Sequence, residues 1–269
     1  MRGDGLARTF NRDGMMRTRI ARSAMWSVLV VALLAAVPLL TLAFGVVPVR
    51  GDWRTAGHRP TGQAPDPATH AEAVVQVYAG RAFGWRGAFA VHTWLAAKPA
   101  GADRYTRYEV IGWSLRGGGS AVSVSDLRAP DAQWYGATPE LVRELRGPDA
   151  EAVIAGLPAA VASYPYPHTY SAWPGPNSNT FVAHLGREIP ALRLALPSIA
   201  IGKDYLPADR LVARAPSGTG YQVSLYGLLG VLAAAEEGLE LNLLGLVTGI
   251  DLRGPALKLP GIGRVPAAS

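Results

Sequence analysis

No cysteine occurs anywhere in the 269 residues. That excludes disulfides, thiolate metal sites and a cysteine nucleophile, and an exported chain without thiols cannot mispair them. Lysine is scarce as well, limited to Lys98, Lys203 and Lys258 in an arginine-rich chain. Three chemistry-bearing motifs are missing: the phosphate-cradling G-x-x-x-x-G-K-[ST], the zinc helix H-E-x-x-H and the elbow G-x-S-x-G. Nothing in the sequence therefore calls for a cofactor or a metal. Gly117-Gly118-Gly119-Ser120 has the glycines of a nucleotide loop without the strand and helix such a loop needs, and reads as a turn. A concentrated basic stripe is also lacking. The net charge is +6, but Arg2, Arg8, Arg12, Arg17, Arg19 and Arg22 against Asp4 and Asp13 supply most of it. The body is nearly neutral, which argues against nucleic acid as a partner.

What is present is apolar: 49% of the residues are hydrophobic, enough for one good-sized core. From Ser23 to Val47 no residue is charged. A run of about 24 apolar residues is long enough to cross a bilayer, whereas a signal-peptide apolar region is usually about 7–15. Arginines ahead of it place the N-terminus in the cytoplasm. Trp26 stands where an interfacial anchor belongs, and Pro38 inside the run is tolerated in membrane helices. A signal-anchor helix is the expectation; a cleaved signal peptide and a buried soluble helix are its alternatives. The implied organisation is a basic cytoplasmic N-terminus (1–23), a transmembrane helix (24–47), a Pro/Gly/Arg-rich linker (48–70) and an extracytoplasmic α+β domain (71–269). The address would be a bacterial inner membrane with the main domain in the periplasm, and the lipid bilayer would be a partner.

Ala73 to Ala79, Gly87 to Ala97, Arg107 to Leu115 and Ala121 to Val124 read as strands, with Lys98 to Asp103 as a hairpin turn between the second and third. Thr138-Pro139-Glu140 has the form of an N-cap followed by proline at the first helical position, predicting a helix to Leu145. Pro148-Asp149-Ala150 opens another, to about Ser163. An extended aromatic stretch, Tyr164 to Tyr170, follows it. Trp173-Pro174-Gly175-Pro176-Asn177 then holds back regular structure until a helix begins at about Ser178 and runs to Gly186. The leucine-rich tail from Tyr221 to Leu259 is interrupted by Glu236, Glu237 and Glu240, whose burial in lipid would cost several kcal/mol. Strands packed on the domain, with a membrane-lying layer as the alternative, are the expectation.

Two residues stand out chemically. His92 lies within an apolar strand, where a buried imidazole needs a hydrogen-bond partner. Ser178 sits at a helix start, where N–H groups and the helix dipole can cap a helix or stabilise an oxyanion. Each has a bland alternative: a satisfied core histidine and an N-cap. Glu109, on the strand expected to pair with that of His92, would come within about 5 Å and orient the imidazole. His184 and Glu188, four apart on one helix, read as a solvated face more readily than as metal ligands. His58 and His70 are expected at the surface.

Val91-His92-Thr93-Trp94, followed downstream by Asn177-Ser178-Asn179-Thr180-Phe181-Val182, resembles the circularly permuted papain-like group, which includes permuted NlpC/P60 proteins and the lecithin:retinol acyltransferases. That resemblance implies an antiparallel sheet plus helices, with a strand histidine preceding the nucleophile helix in the chain. It implies amide or ester hydrolysis or acyl transfer, expected here on cell-wall peptide or lipid, with Ser178 as nucleophile and His92 as base; Glu109 matches no fixed motif of the group and is the expected orienter by strand geometry alone. Asn177, Asn179, His168 and Tyr170 would line the pocket. Where the group carries cysteine this chain has Ser178, a far less acidic nucleophile, so a non-catalytic envelope binding module is the alternative. A more specific resemblance is to the bacterial family DUF3750. It runs from Val74 to Leu259 and is carried by the His-Thr-Trp strand, Arg107-Tyr108-Glu109-Val110-Ile111-Gly112-Trp113, Trp173 to Phe181, and Leu257-Lys258-Leu259-Pro260-Gly261-Ile262-Gly263. It implies no activity.

Overall fold

The computed structural model describes residues 4–45, 52, 54–207 and 209–267, with side chains described at residue 19 and from residue 21 on. The expected end of the apolar run at Val47 lies outside these residues. The first helix, α1 (Asp4–Ala43), begins inside the basic stretch and runs through Pro38. Its segment Ala21–Ala43 has a mean hydropathy of 2.4 and is long and apolar enough to cross a membrane, as an anchor or a signal sequence.

Two antiparallel sheets make up the α+β body. The first has the order β4-β3-β2-β1-β5, from β1 (Val74–Arg81), β2 (Val91–Lys98), β3 (Thr106–Val110), β4 (Val122–Ser125) and β5 (Glu140–Arg146). β1 and β2 are buried along almost their whole length, as the central strands of a sheet covered on both faces must be. On one face lie α2 (Gly147–Ala162), over β1 and β5, and α3 (Ser178–Glu188), over β2 and β3. α2 starts with Pro148 in its first turn and turns Ala150, Val153, Leu157 and Ala160 inward at helical spacing. α3 contributes Phe181, Val182 and Leu185, each fully buried and each worth about 1.5–3 kcal/mol of transfer free energy. The other face is covered by residues 57–65 and 128–139. Gly57 and Arg59 carbonyls accept from Gly136 and Gln133, and Asp131 accepts from Thr61 and Gln63. The segment read as a linker is thus strapped to the sheet over part of its length.

Two local expectations are corrected. Thr138-Pro139-Glu140 does not open a helix: Glu140 to Arg146 is the edge strand β5, with Leu145 opposite Val75 and Glu144 opposite Gln76. The third strand stops at Val110, and Gly112–Gly117 is a 3-10 turn ending on Gly118 at φ 75°.

The tail forms the second sheet, a seven-stranded meander: β6 (Val212–Arg214), β7 (Gly220–Leu225), β8 (Leu229–Ala234), β9 (Gly238–Leu243), β10 (Leu246–Asp251), β11 (Ala256–Leu259) and β12 (Gly263–Val265). The two-residue turn Leu244-Gly245 has φ 57° and 85°, the positive pair a type I′ hairpin demands. The inner face of this sheet is polar and buried. Glu240 receives Lys203 Nζ at 2.5 Å and Lys258 Nζ at 2.6 Å, Arg187 donates to Gln222, and Asn242 donates to Asp204. Glu237 accepts from Ser217, and Glu236 pairs with Arg193 and Arg253. All three glutamates that interrupt the tail are therefore partnered within the protein.

Candidate functional site

Strand alternation decides where His92 points. Val91, Thr93, Leu95 and Ala97 share the helix-covered side of the first sheet with Tyr108 and Val110. His92 and Trp94 take the opposite side, as do Arg107 and Glu109 of β3. Across from His92 stands Gly80, where a Cβ would lie 2.7 Å from that of Trp134. Trp134 occupies the space this glycine leaves and stacks on the imidazole at 3.6 Å and 12°. Trp113, half exposed, stacks in turn on Trp134.

The expected pairing of β2 with β3 holds, and it brings His92 Nε2 within 3.0 Å of Glu109 Oε2. Arg107 Nη2 donates to the same oxygen at 2.9 Å, and its guanidinium lies 4.4 Å over the Trp94 ring. All three polar side chains are buried. Burial alone would raise the Glu109 pKa, but His92 and Arg107 outweigh it and hold the carboxyl at about 2. Burial lowers the His92 pKa against the opposing pull of Glu109, so the imidazole is neutral at pH 7. An ionised carboxylate can only accept, so Nε2 carries the proton and Nδ1 the lone pair. Nδ1 has no hydrogen-bond partner among the described residues. Arg107 and Trp134 were not singled out from the sequence. Arg107 was within reach, since a strand residue two before Glu109 shares its face. Trp134 was not, because it arrives from a distant loop.

Ser178 is the first residue of α3; the N-cap is Asn177. The Asn177 side chain accepts from the backbone N–H groups of Asn179 and Thr180, and Thr180 Oγ1 accepts from the Asn177 N–H. This reciprocal capping box uses Thr180 where Glu or Gln is usual. The Asn177 amide also donates to Ala172 and Ile201 carbonyls, and fits only because residue 202 is glycine: a Cβ there would come within 2.5 Å. Asn179 donates to the Val91 and Ile201 carbonyls and accepts from Thr93 Oγ1. It thereby fastens the start of α3 to the two residues flanking His92. Ser178 Oγ makes no hydrogen bond among the described residues, to His92 or to any other group, and Ser178 is 4% exposed. His168 is exposed with Nδ1 3.4 Å from the Gly119 carbonyl, and the Tyr170 ring covers Gly112. Both belong to the loop over the 3-10 turn.

A separate cavity of about 230 Å³ lies behind α3, with Tyr164, Tyr166, Thr180, His184, Arg187, Glu188, Tyr205 and Arg210 in its lining. The Tyr164 and Tyr166 hydroxyls are buried, with no hydrogen-bond partner among the described residues. Burial pushes the Tyr166 phenol up to about 12, so it stays protonated. His184 Nε2 lies 3.0 Å from the Ala160 carbonyl and 3.0 Å from Ser163 Oγ.

Residues 72–205 match the model of a family described as a protein of unknown function, DUF3750. The chain carries a DUF3750 domain. No curated protein and no solved structure matches the chain. The match spans the first sheet, α2, α3 and the His92 network, and ends at Tyr205. The DUF3750 match therefore stops before the meander, and the Leu257 to Gly263 motif falls beyond it.

Proposed function

We propose that this chain is a membrane-tethered binding module of the cell envelope, built on a permuted papain-like framework that has lost hydrolysis. α1 is the tether, the N-terminus is cytoplasmic and the DUF3750 domain is periplasmic. The observation that carries the binding role is the tyrosine-lined cavity with two buried, unpartnered phenols. Orphaned buried hydroxyls each cost about 1–3 kcal/mol, a cost that a ligand's acceptors remove on binding. Arg210 with the phenols suits a carboxylate, and Glu188 suits an amine, so the ligand class is the end of a short cell-wall peptide. Titrating the full chain in detergent with D-alanyl-D-alanine is expected to raise its thermal midpoint. The shift should vanish in a Tyr164→Phe/Tyr166→Phe variant. No shift in the parent chain, or one that survives in the variant, overturns the assignment.

A hydrolase reading has one specific observation in its favour: a neutral His92 held by Glu109 with Nδ1 free to act as a base. Against it, Ser178 lacks a hydrogen bond to that nitrogen. A fluorophosphonate probe separates the two readings. The binding module leaves Ser178 unlabelled, whereas labelling lost on Ser178→Ala would establish the nucleophile.

A further inference from the structure

The outer face of the meander is the reverse of an ordinary protein surface. Reading across the paired strands, Tyr221, Ala233, Leu239, Ile250, Leu257 and Val265 form one row. Val212, Val223, Val231 and Leu241 form a second, and Leu225, Leu229, Leu243 and Leu246 a third. Most of these side chains are 40–64% exposed, while the residues alternating with them, Gln222, Ser224, Glu240, Asn242 and Lys258, are the buried ones. At about 4.8 Å per strand and 3.4 Å per residue the face measures roughly 30 by 20 Å. An area near 600 Å² is at the top of the range for the largest apolar patch on a soluble monomer. No charged side chain interrupts these rows; Arg214 stands at the β6 edge.

The same sheet touches α1. That helix packs against β10 and the 3-10 turn Gly84–Ala88, and Pro38 lies so close to Gly261 that a Cβ there would come within 2.7 Å. Ala21–Ala43 is otherwise almost bare, only 6% buried in its most apolar stretch. A helix that apolar and a sheet face that apolar meet at one rim. Exposed aromatics stand at this face: Tyr221 on β7, Tyr226 in the turn after it, Trp173 in the loop before α3 with its indole N–H on the Leu244 carbonyl, and Trp26 on the helix, side chains that favour the headgroup level. The carboxylates of the tail face inward or pair with arginine. Six-residue strands are too short to span a bilayer, which takes about 9–11.

We infer that the meander is a lipid-docking plate. Its outer face lies flat on the bilayer that α1 crosses, with the apolar rows in the headgroup–acyl boundary, and it fixes the DUF3750 domain at the membrane surface. This rests on the tether reading for its geometry. The backbone suffers no penalty, because interior strands have both sides paired and only β6 and β12 offer edges.

The absence of native cysteine gives a clean background for the test. The full chain carrying Val231→Cys, Leu241→Cys, Leu33→Cys or Ala159→Cys is labelled with an environment-sensitive fluorophore and reconstituted in vesicles containing spin-labelled lipid. Residues 33, 231 and 241 should be quenched several-fold more than residue 159 on α2. Quenching at 33 without quenching at 231 and 241 overturns the plate while leaving the tether intact. Quenching at 231 and 241 without 33 supports the plate and refutes the tether. If 231 and 241 are unquenched and Val231→Cys instead cross-links between chains, the face belongs to a second copy and the plate is overturned.

Discussion

At the scale of single residues, Glu109 is the most consequential group in the DUF3750 domain. It is ionised, buried and shared by His92 and Arg107. Removing its charge leaves the guanidinium buried without its counter-ion, a loss on the order of 3–5 kcal/mol. Glu109→Gln should lower the unfolding free energy at pH 7 by about that much in a urea titration followed by tryptophan fluorescence. The pH dependence carries a sign. Glu109 titrates near 4.5 when unfolded and at about 2 when folded, so its contribution is complete above pH 4.5 and drains away between 4.5 and 2. His92 is also depressed. The unfolded chain therefore takes up its proton first as pH falls below about 6.5, and stability starts to decline there. Glu109→Gln should flatten the acid limb; an unchanged limb would mean the carboxyl is not held near 2. From the sequence, the mid-strand glutamate beside a strand histidine was enough to find this pair. The aromatic lid was not legible, because Trp134 reaches the imidazole only through Gly80, and no local pattern links residues 80, 92 and 134.

Among the elements, α3 shows how a cap is told from a nucleophile. The sequence located the helix start to within a residue, because two prolines and a glycine cannot continue into a helix and Phe181, Val182 and Leu185 can. It left Ser178 as the candidate cap, whereas Asn177 holds the N–H groups and Ser178 Oγ makes no hydrogen bond among the described residues. Asn177→Ala should cost about 1–2 kcal/mol, the usual loss for a cap, with more from its bonds to Ala172 and Ile201. Ser178→Ala should change stability by no more than about 0.5 kcal/mol. Equal losses in a denaturant titration would contradict this division of labour. β5 is the opposite case. Leu141-Val142-Arg143-Glu144-Leu145 has no period that excludes a helix, and Thr138-Pro139-Glu140 imitates a helix start. What decides is the free edge of β1, more than 60 residues away, which pairs Val75 with Leu145. Local signals suffice where a segment closes on itself, as in α2 and the hairpins of the tail, and fail where a distant edge recruits the segment.

At the scale of the whole molecule, the meander joins the rest of the body across a polar seam made with α3 and the segment that follows it, and Glu240 is its centre. Lys203, which follows α3 in the chain, and Lys258, on β11, both donate to it, and all three are buried. This inverts the common plan in which layers meet through apolar faces, and it accounts for the exposed apolar rows: a meander that turns its polar side inward must turn leucine and valine outward. Burial would raise the Glu240 pKa, but the two ammonium groups outweigh it and hold it below the ordinary carboxylate value. The seam is therefore complete above pH 4.5 and weakens as acid protonates the carboxylate. Glu240→Gln leaves two buried ammoniums facing an amide and should cost about 3–5 kcal/mol. Glu236, paired with Arg193 and Arg253 at the surface, serves as the control, and Glu236→Gln should cost no more than about 1 kcal/mol. Hydrogen exchange gives the spatial test. In Glu240→Gln the amides of β7 to β10 should exchange faster while β1 and β2 stay protected, because the meander can lift away without opening the first core. Uniform acceleration would instead mean that the two sheets unfold as one unit.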